Sequence, residues 1–415
     1  MRNINSSTFN SKQEFKAKYF LASPRFFRMR QSLEFNIENP QLFKSQLLRW
    51  SSKHEKLCFL NSNAEANFLG GARSYSSFDM LLGLDSIKEL RINAGSAFEQ
   101  VKEFYETTKD WLLGYWGYDL KNEIEKLSSQ NSDELQFPDL HFFQPKLVFI
   151  LRGSILQVEF FKEFSDAAEI KNLVEEVHSI EILKSSEDAQ KIEIEAKVSQ
   201  EEYLKKVHEL KRYIQRGDIY ELNYCIEFFV KKSQLNCVQL YEDLNAISQT
   251  PFSCFYRNEN NFLLCASPER FMKKQATKLI SQPIKGTRKR GKDDADDQSL
   301  KADLAADLKE RSENVMIVDL VRNDLSRSAK RGTVKVDELF GLYTFKQVHQ
   351  LISTISCELK EELHFVDALK NAFPMGSMTG APKVRAMQLI EEFESTKRGL
   401  YSGAVGYISP AGDFD

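Results

Sequence analysis

Residues 252–287 read FSCFYRNENNFLLCASPERFMKKQATKLISQPIKGT, and this stretch decides the fold class. Its apolar runs predict three strands, at 252–256, 261–266 and 278–284. The polar residues Asn258–Asn261 predict the turn of a hairpin between the first two strands. Strands joined by so short a turn run antiparallel, so this stretch predicts an antiparallel sheet.

Helices surround these strands without regular strand–helix alternation. Ser199 and Glu202 have the capping-box spacing at the start of a helix, and Gly217 supplies its end. Apolar spacing predicts further strands at 219–230, 347–359 and 403–409, and helices at 300–325, 364–373 and 382–393. Antiparallel strands mixed with helices in this way predict the α+β class.

The composition excludes several classes of protein. The chain has 415 residues, which is enough for two domains, and its 57 Lys+Arg nearly cancel its 60 Asp+Glu, so its charge does not favour nucleic acid. It has no run of 18 apolar residues, and its first 15 residues lack the apolar stretch that a signal peptide needs. Six cysteines without a CxxC pair favour a reduced, cytoplasmic setting. The polar segment 181–197 is interpreted as a connection between residues 1–185 and 186–415.

Lys285 lies where an apolar strand runs into a Gly-Thr turn, in the sequence QPIKGT. Burial at such a position lowers the pKa of a lysine and frees its amine to act as a nucleophile. The alternative is a solvated lysine at the end of a strand.

Glu310 and Glu313 are three residues apart in a predicted helix, so both carboxylates point the same way. Two hard oxygen donors on one face suit a Mg²⁺ ion that keeps some of its waters. The histidines show no metal-ligand spacing, which also favours carboxylates for any metal. The alternative is a solvated charged face, although the apolar run that follows indicates burial.

Three further segments carry polar groups of interest. Residues 374–383 (PMGSMTGAPK) form a Gly/Ser/Thr loop before a helix, which is either an anion-binding turn or a plain connection. Glu269 follows an apolar strand and is either an acid–base group or the partner of Arg270. His349 lies in a strand-like segment, where a lone histidine is more often structural.

Taken in this order, the segments resemble the chorismate-utilising enzymes, the superfamily of anthranilate synthase component I. The matching segments span Gly217 to Tyr407 and are GDIY at 217–220, SPER at 267–270, PIKGT at 283–287, DLVRND at 319–324, TGAPK at 379–383 and RGLYSG at 398–403. A weaker match, GYWGYDL, covers 114–120. The resemblance implies a large, intertwined two-domain fold of antiparallel sheets flanked by helices. Residues 1–185 would form the N-terminal region, and 186–415 the chorismate-binding catalytic domain.

Lys285 selects a branch of this superfamily. Anthranilate and isochorismate synthases typically have alanine there, whereas aminodeoxychorismate synthases have PIKGT. The resemblance implies that Lys285 attacks C2 of chorismate as the 4-hydroxyl leaves, and that ammonia then adds at C4 and expels the lysine. The product would be 4-amino-4-deoxychorismate, a precursor of 4-aminobenzoate and folate.

The resemblance also implies roles for other residues. Glu269 would be the acid–base partner, and His349 would lie close to the ring. Glu310 and Glu313 would belong to a Mg²⁺ site that holds a substrate carboxylate. The residues implied to line the chorismate pocket are Gly286, Thr287, Thr379 and Tyr401. Ammonia would come from a separate glutamine amidotransferase subunit.

This sequence departs from the superfamily pattern in places. Glu221 and Asn314 stand where relatives often have Gln and His. The predicted strand 403–409 has no returning strand, so we expect the sequence to be part of a longer protein. Two alternatives stay open: anthranilate synthase component I, which Lys285 disfavours, and a non-catalytic chorismate-binding regulatory subunit.

Overall fold

The computed structural model describes residues 29–63, 76–93, 95–182, 192–231 and 233–415. Their helices are α1 (Pro40–Ser51), α2 (Ala97–Thr108), α3 (Lys121–Ile124), α4 (Ala167–His178), α5 (Gln200–Arg216), α6 (Cys237–Ile247), α7 (Asp294–Ala306), α8 (Leu308–Ser326), α9 (Phe365–Ala372) and α10 (Lys383–Phe393). Within these ranges, no helix is long and apolar enough to cross a membrane.

Most of the strands belong to two antiparallel sheets. The strands are β1 (Gln31–Asn36), β2 (Lys56–Asn61), β3 (Met80–Ile92), β4 (Leu112–Trp116), β5 (Leu140–Arg152), β6 (Ile155–Phe160), β7 (Glu195–Ala196), β8 (Glu221–Leu222), β9 (Phe228–Phe229), β10 (Phe252–Asn258), β11 (Asn261–Ser267), β12 (Arg270–Gln275), β13 (Lys278–Gln282), β14 (Ile284–Lys289), β15 (Lys335–Thr344), β16 (Val348–Glu358), β17 (Gly380–Ala381) and β18 (Ala404–Ile408). The mixture of helices and antiparallel sheets confirms the α+β class.

The first sheet has nine strands, in the order β1-β6-β5-β3-β2-β10-β11, and β4 joins β5 to β18. The long strand β5 pairs with β6 along one part of its edge and with β4 along another. The two pairings lie on either side of Pro145, which has no amide hydrogen to donate, and β3 has a bulge opposite it between Ser86 and Lys88. Because β5 pairs with β4 and with β6 at separate parts of its edge, β4 and β18 branch away from the rest of the sheet.

The second sheet is built around β16. β15 pairs with one edge of β16, and β13 and β14 follow each other along the other edge, separated by Pro283. Helices α7 and α8 pack on β14 and β16. Two short pairs, β8 with β17 and β7 with β9, complete the pattern.

The largest apolar cluster contains residues of both sheets together with α2, α8 and α9. Leu140 and Phe142 of β5 and Leu279 and Ile355 of the second sheet are among its buried members. A second cluster lies between the first sheet and helices α1 and α4. The two sheets are therefore held together by one apolar core, which fixes the second sheet and its loops in place.

Several predicted elements are confirmed. The hairpin of β10 and β11 turns at Asn258–Asn261 as expected. Helix α5 begins where the Ser199 hydroxyl accepts a hydrogen bond from the Glu202 amide, and it ends at Gly217, whose φ is 82°. Of the predicted strand 219–230, the structure forms only the short pieces β8 and β9.

The helix predicted over 300–325 is two helices, because Asp307 starts a new one. Its carboxylate accepts hydrogen bonds from the amides of Lys309 and Glu310, which caps α8 and ends α7. The break sets the direction of α8 and the position of Glu310 in its first turn.

The division of the chain at residue 185 stays a prediction, and residues 183–191 lie outside the described residues. Strands from both sides of this division share the first sheet, since β10 pairs with β2 and β18 pairs with β4. After β18 the chain turns, and Phe414 forms bridges with both Ile408 and Lys274. Phe414 therefore lies beside the end of β18, although the described residues form no returning strand there.

Candidate active site

A bulge in β14 presents Lys285. Ile284 pairs with Ile352 and Thr287 with Gln350, so Lys285 and Gly286 together face the single residue Leu351 of β16. Gly286 has a φ of 97°, which side-chain-bearing residues rarely adopt. The extra residue redirects the lysine side chain, which is 15% exposed, and its Nζ lies 3.4 Å from Oε1 of Glu221.

Glu269 also lies near Lys285, in the connection between β11 and β12. Its Oε1 accepts a hydrogen bond of 2.9 Å from the Ile284 amide, next to Lys285 in the chain. Burial raises the pKa of the Glu269 carboxyl above its ordinary value. The Ser377 hydroxyl, the Ile284 amide and the charge of Lys285 oppose this rise without reversing it. A carboxyl in this environment keeps its proton to a higher pH than usual, which suits a proton donor.

Glu269 does not pair with Arg270. The Arg270 guanidinium instead forms two hydrogen bonds with Asp415, of 2.7 and 2.8 Å, and Lys273 lies 3.1 Å from the same carboxylate. The carboxylate of Glu269 is therefore left for Lys285 and its surroundings.

The loop before α10 forms the wall of the site next to Glu269. The Ser377 hydroxyl is buried close to the Glu269 carboxyl, whose pKa it lowers, but it makes no hydrogen bond of ordinary geometry with the residues that the structure describes. Thr379 is fully buried, and its hydroxyl donates to the carbonyl of Gly376 at 3.1 Å. The Asn223 side chain donates to the Ser377 carbonyl at 2.8 Å, which ties the loop to β8. Anion binding by this loop stays a prediction.

Thr287 and Gln350 face each other across β14 and β16. Thr287 is exposed, and the Gln350 Nε2 lies 3.4 Å from its hydroxyl oxygen. The Oε1 atom of Gln350 is buried without a hydrogen-bond partner in the described part of the chain. Unsatisfied buried polar atoms are rare in folded proteins and often mark a place where a ligand or water binds.

Glu310 and Glu313 lie in the first turns of α8. Glu310 is next to Gly286, since a Cβ at Gly286 would approach the Glu310 Cβ to 3.2 Å. The Glu310 carboxylate lies 3.4 Å from Arg288, and the Glu313 carboxylate lies 2.7 Å from Lys309. No group of three metal-ligating side chains comes together among the described residues. The two carboxylates still fit Mg²⁺, because this ion is commonly held by one or two carboxylates together with water and substrate oxygens.

The structure corrects the expected place of His349. Its side chain is fully buried, with Nε2 3.0 Å from Asp297 and Nδ1 2.9 Å from the Thr344 hydroxyl. Asp297 also accepts two hydrogen bonds from Arg290, of 2.7 and 2.9 Å. Because neighbouring residues of a strand point to opposite faces, His349 faces α7 and its neighbour Gln350 faces away from it. Both ring nitrogens serve this cluster, which leaves none for a substrate.

Tyr401 lies on the turn between α10 and β18 and is 61% exposed. The turn is held by Arg398, which pairs with Glu394 at 2.6 Å and donates to the carbonyls of Met378 and Asn223 at 2.7 Å each. This network joins the turn to the Ser377 loop and to the segment after β8. Tyr401 is thus connected to the site through the backbone, and its contact with substrate stays a prediction.

Three residues of the site had no predicted role: Glu221, Gln350 and Asn314. Asn314 of α8 donates to the carbonyls of Lys285 and Leu351, at 3.1 and 3.2 Å, and accepts from the Ser353 hydroxyl at 2.6 Å. It therefore fixes the backbone that carries Lys285. Glu221 and Asn314 could have been found from the sequence, because both depart from the superfamily pattern.

A cavity of about 660 Å³ opens elsewhere in the molecule, along α1 and the end of β5. Its lining includes Lys44, Asp79 and Arg152, and none of the predicted site residues contributes to it. The chemistry that the Lys285 region can support does not depend on this cavity.

Residues 52–415 match the family described as chorismate binding enzyme. The chain belongs to this family. The structure resembles the crystal structure of anthranilate synthase component I from Streptococcus pneumoniae, with a TM-score of 0.70, 26% identity and 81% of each chain covered.

Two curated relatives carry different names. An anthranilate synthase component I-like protein of Synechocystis sp. is 35% identical over 308 residues, which cover 73% of this chain and 62% of that protein. Aminodeoxychorismate synthase component 1 of Escherichia coli is 42% identical over 221 residues, which cover 53% of this chain and 49% of that protein. The chain thus spans about half to two thirds of these relatives, whose names state two different activities.

Proposed function

We propose that this chain aminates chorismate at C4 to give 4-amino-4-deoxychorismate, as an aminodeoxychorismate synthase component 1. The observation that supports this choice is Lys285 itself, placed on a bulge near the carboxylates of Glu221 and Glu269. A partly buried amine close to two carboxylates has the surroundings of a covalent catalyst, which divides one difficult substitution into two easier ones.

The proposed reaction has two steps. The Lys285 amine forms a bond to C2, the ring double bonds shift, and the C4 hydroxyl leaves as water with a proton from Glu269. Ammonia then forms a bond to C4, the double bonds shift back, and the C2–N bond breaks to release the lysine amine. The raised pKa of Glu269 supports its role as the proton donor of the first step.

The site would hold Mg²⁺ through Glu310 and Glu313. When bound, the ion would supply positive charge to a carboxylate of the substrate. In the proposed complex, Gly286, Thr287 and Thr379 would lie around the substrate, and Tyr401 at its rim. We further propose that ammonia comes from a separate glutamine amidotransferase subunit, in the cytoplasm, and that the product enters 4-aminobenzoate and folate synthesis.

Product analysis tests the reaction. The purified protein is incubated with chorismate, Mg²⁺ and ammonium, and an added lyase converts any 4-amino-4-deoxychorismate to 4-aminobenzoate. We expect 4-aminobenzoate. Anthranilate as the amino product would overturn the proposal in favour of anthranilate synthase, and binding of chorismate without any product would indicate a regulatory subunit.

The metal proposal has its own test. Glu313→Gln removes one anionic ligand, so we expect the Mg²⁺ concentration for half-maximal rate to rise by roughly tenfold or more. Isothermal titration of Mg²⁺ in the presence of chorismate gives a second measurement, independent of turnover. Asp319→Asn, on the exposed side of the same helix, is the matched control. An unchanged Mg²⁺ requirement would show that Glu313 is only part of a solvated face.

A further inference from the structure

Glu221 and Lys285 form an ion pair between two different elements. Glu221 belongs to β8 and Lys285 to β14, and each side chain is 15% exposed. The Glu221 Oε1 atom is buried and makes no hydrogen bond of ordinary geometry with the residues that the structure describes, while the Lys285 Nζ lies 3.4 Å away. This distance is an ion-pair contact that is longer than a well-formed hydrogen bond, so a small movement would allow proton transfer.

The backbone holds Glu221 in this position. Glu221 pairs with Ala381 of β17, and the Tyr220 amide donates to the Ala381 carbonyl at 2.7 Å. A Cβ at Gly380 would come within 2.3 Å of the Glu221 carbonyl oxygen, so the two short strands approach each other more closely than a side chain would permit. The carboxylate is therefore carried by a defined part of the fold.

The backbone of Lys285 is fixed as well, by the bulge of β14 and by the hydrogen bond from Asn314 to its carbonyl. An ion pair between two held and partly buried residues differs from a surface pair, whose long side chains move freely. The contact is thus preorganised in the way that catalytic groups require.

The charges around the pair are few. Burial raises the pKa of Glu221, the charge of Lys285 opposes the rise, and Glu313 and Lys309 of α8 add smaller and opposite effects. Lys285 is also close enough to Glu269 for its charge to lower the pKa of that carboxyl. Two carboxyl groups therefore lie near the lysine, of which only one is needed as the proton donor to the leaving hydroxyl.

We propose that Glu221 is the proton acceptor for Lys285, an assignment that rests on the proposed function. The Nζ–H bond of the ammonium breaks, a proton moves to a Glu221 oxygen, and the nitrogen lone pair becomes free to attack C2. When the C2–N bond breaks in the second step, the neutral amine leaves and takes the proton back from Glu221. Glu269 recovers its own proton from the ammonium formed at C4, so all protons are accounted for.

The alternative is that Glu221 only anchors the ammonium, and the two roles predict different effects on kcat. A proton acceptor takes part in the chemical step, so its removal lowers kcat. An anchor stabilises the unreactive ammonium and takes no part in the proton transfer, so its removal leaves kcat unchanged or raises it.

Glu221→Gln distinguishes these roles, because it keeps the shape of the side chain and cannot accept the proton. We expect kcat for chorismate amination to fall by roughly a hundredfold at neutral pH, with KM for chorismate changed by less than about threefold. We expect this loss of kcat at every pH at which the parent is active. Glu221→Asp, which keeps a carboxylate, should retain more activity than Glu221→Gln.

Chemical rescue provides a second readout. In Glu221→Ala, added formate should restore part of the lost rate, since it can enter the space and accept the proton. Glu227→Gln, the same change six residues further along the chain, is the matched control. A kcat of Glu221→Gln equal to or above that of the parent would overturn the assignment. Failure of the parent protein to form 4-amino-4-deoxychorismate would instead overturn the proposed function.

Discussion

Two polar clusters lie along the same pair of strands, β14 and β16, and they differ in how fully their polar atoms are hydrogen-bonded. The histidine cluster consists of His349, Asp297, Arg290 and Thr344, and both ring nitrogens of its histidine are engaged. The lysine site consists of Lys285, Glu221, Glu269, Gln350 and Ser377, and three of these five have a buried atom without a hydrogen-bond partner among the described residues.

The difference separates a stabilising role from a chemical one. A buried polar group costs free energy unless it is hydrogen-bonded, so a fully paired cluster is consistent with a role in holding the sheet to α7. Buried polar atoms without a hydrogen-bond partner in the protein often mark a place where a ligand or water binds. The comparison predicts that changes in the lysine site reduce activity, whereas changes in the histidine cluster reduce stability.

The largest effect is expected from Lys285→Ala. Loss of the covalent catalyst should reduce formation of 4-amino-4-deoxychorismate by roughly a thousandfold or more, with the fold intact. Intact-mass spectrometry should show a substrate adduct on the parent during turnover and none on the variant. Lys289→Ala, at an exposed position of the same strand, should leave the rate unchanged. An adduct that persists in Lys285→Ala would contradict the assignment.

Glu269→Gln should reduce kcat by roughly a hundredfold, because the amide cannot donate a proton to the leaving hydroxyl. The sign of the pH effect follows from the raised pKa of Glu269. The protonated form is active and persists to a higher pH than for an ordinary glutamate, so the parent rate should decline as the pH rises through this pKa.

The variant at position 269 should lose that decline, which a pH profile of kcat measures directly. Glu259→Gln in the exposed β10–β11 turn is the control. If kcat of the variant declines with pH in the same way, the decline reflects the titration of a group other than Glu269.

The sequence predicted the parts of the site that lie within one continuous segment. The hairpin of β10 and β11 and helix α5 were predictable because their turn and cap residues act locally. Lys285 was predictable because a Gly-Thr turn follows an apolar strand. The bulge that aims its side chain depends on pairing with β16, some 60 residues away, and periodicity does not show it.

His349 shows the limit of this reasoning. The sequence places it in a strand, but which face of that strand meets the substrate depends on register. A register shift of one residue would place Gln350 where His349 lies. Both ring nitrogens of His349 are paired, whereas Gln350 has a buried oxygen without a partner among the described residues. Similarly, Glu221 reaches Lys285 only because β8 pairs with β17.

His349→Ala tests the other side of the comparison. It leaves the Thr344 hydroxyl without its side-chain partner, removes one of several hydrogen bonds to Asp297 and opens a cavity, so we expect the free energy of unfolding to fall by about 2–4 kcal/mol. The folded fraction should keep its KM for chorismate. Urea unfolding followed by fluorescence gives the stability, and His208→Ala at an exposed position of α5 is the control. A large loss of kcat with unchanged stability would place His349 in the lysine site after all.

The smallest effect concerns Asp297 and appears only in acid. The Arg290 guanidinium, the Gly291 amide and the His349 ring hold the pKa of the Asp297 carboxyl well below its usual range. A carboxyl whose pKa is lower in the folded than in the unfolded chain contributes stability above its unfolded pKa of about 3.9, and that contribution is lost as the pH falls through the folded value. The parent should therefore lose stability from about pH 4 downward.

Asp297→Asn should already lack this contribution at neutral pH, so the difference in unfolding free energy between parent and variant should shrink as the pH falls. Urea midpoints measured at intervals between neutral and acid pH give this difference directly, and Asp303→Asn, exposed on the same helix, should follow the parent at every pH. A difference that stays constant down to the lowest pH at which the parent folds would mean that the charge of Asp297 does not stabilise the histidine cluster, and the contrast between the two clusters would then rest on hydrogen bonds alone.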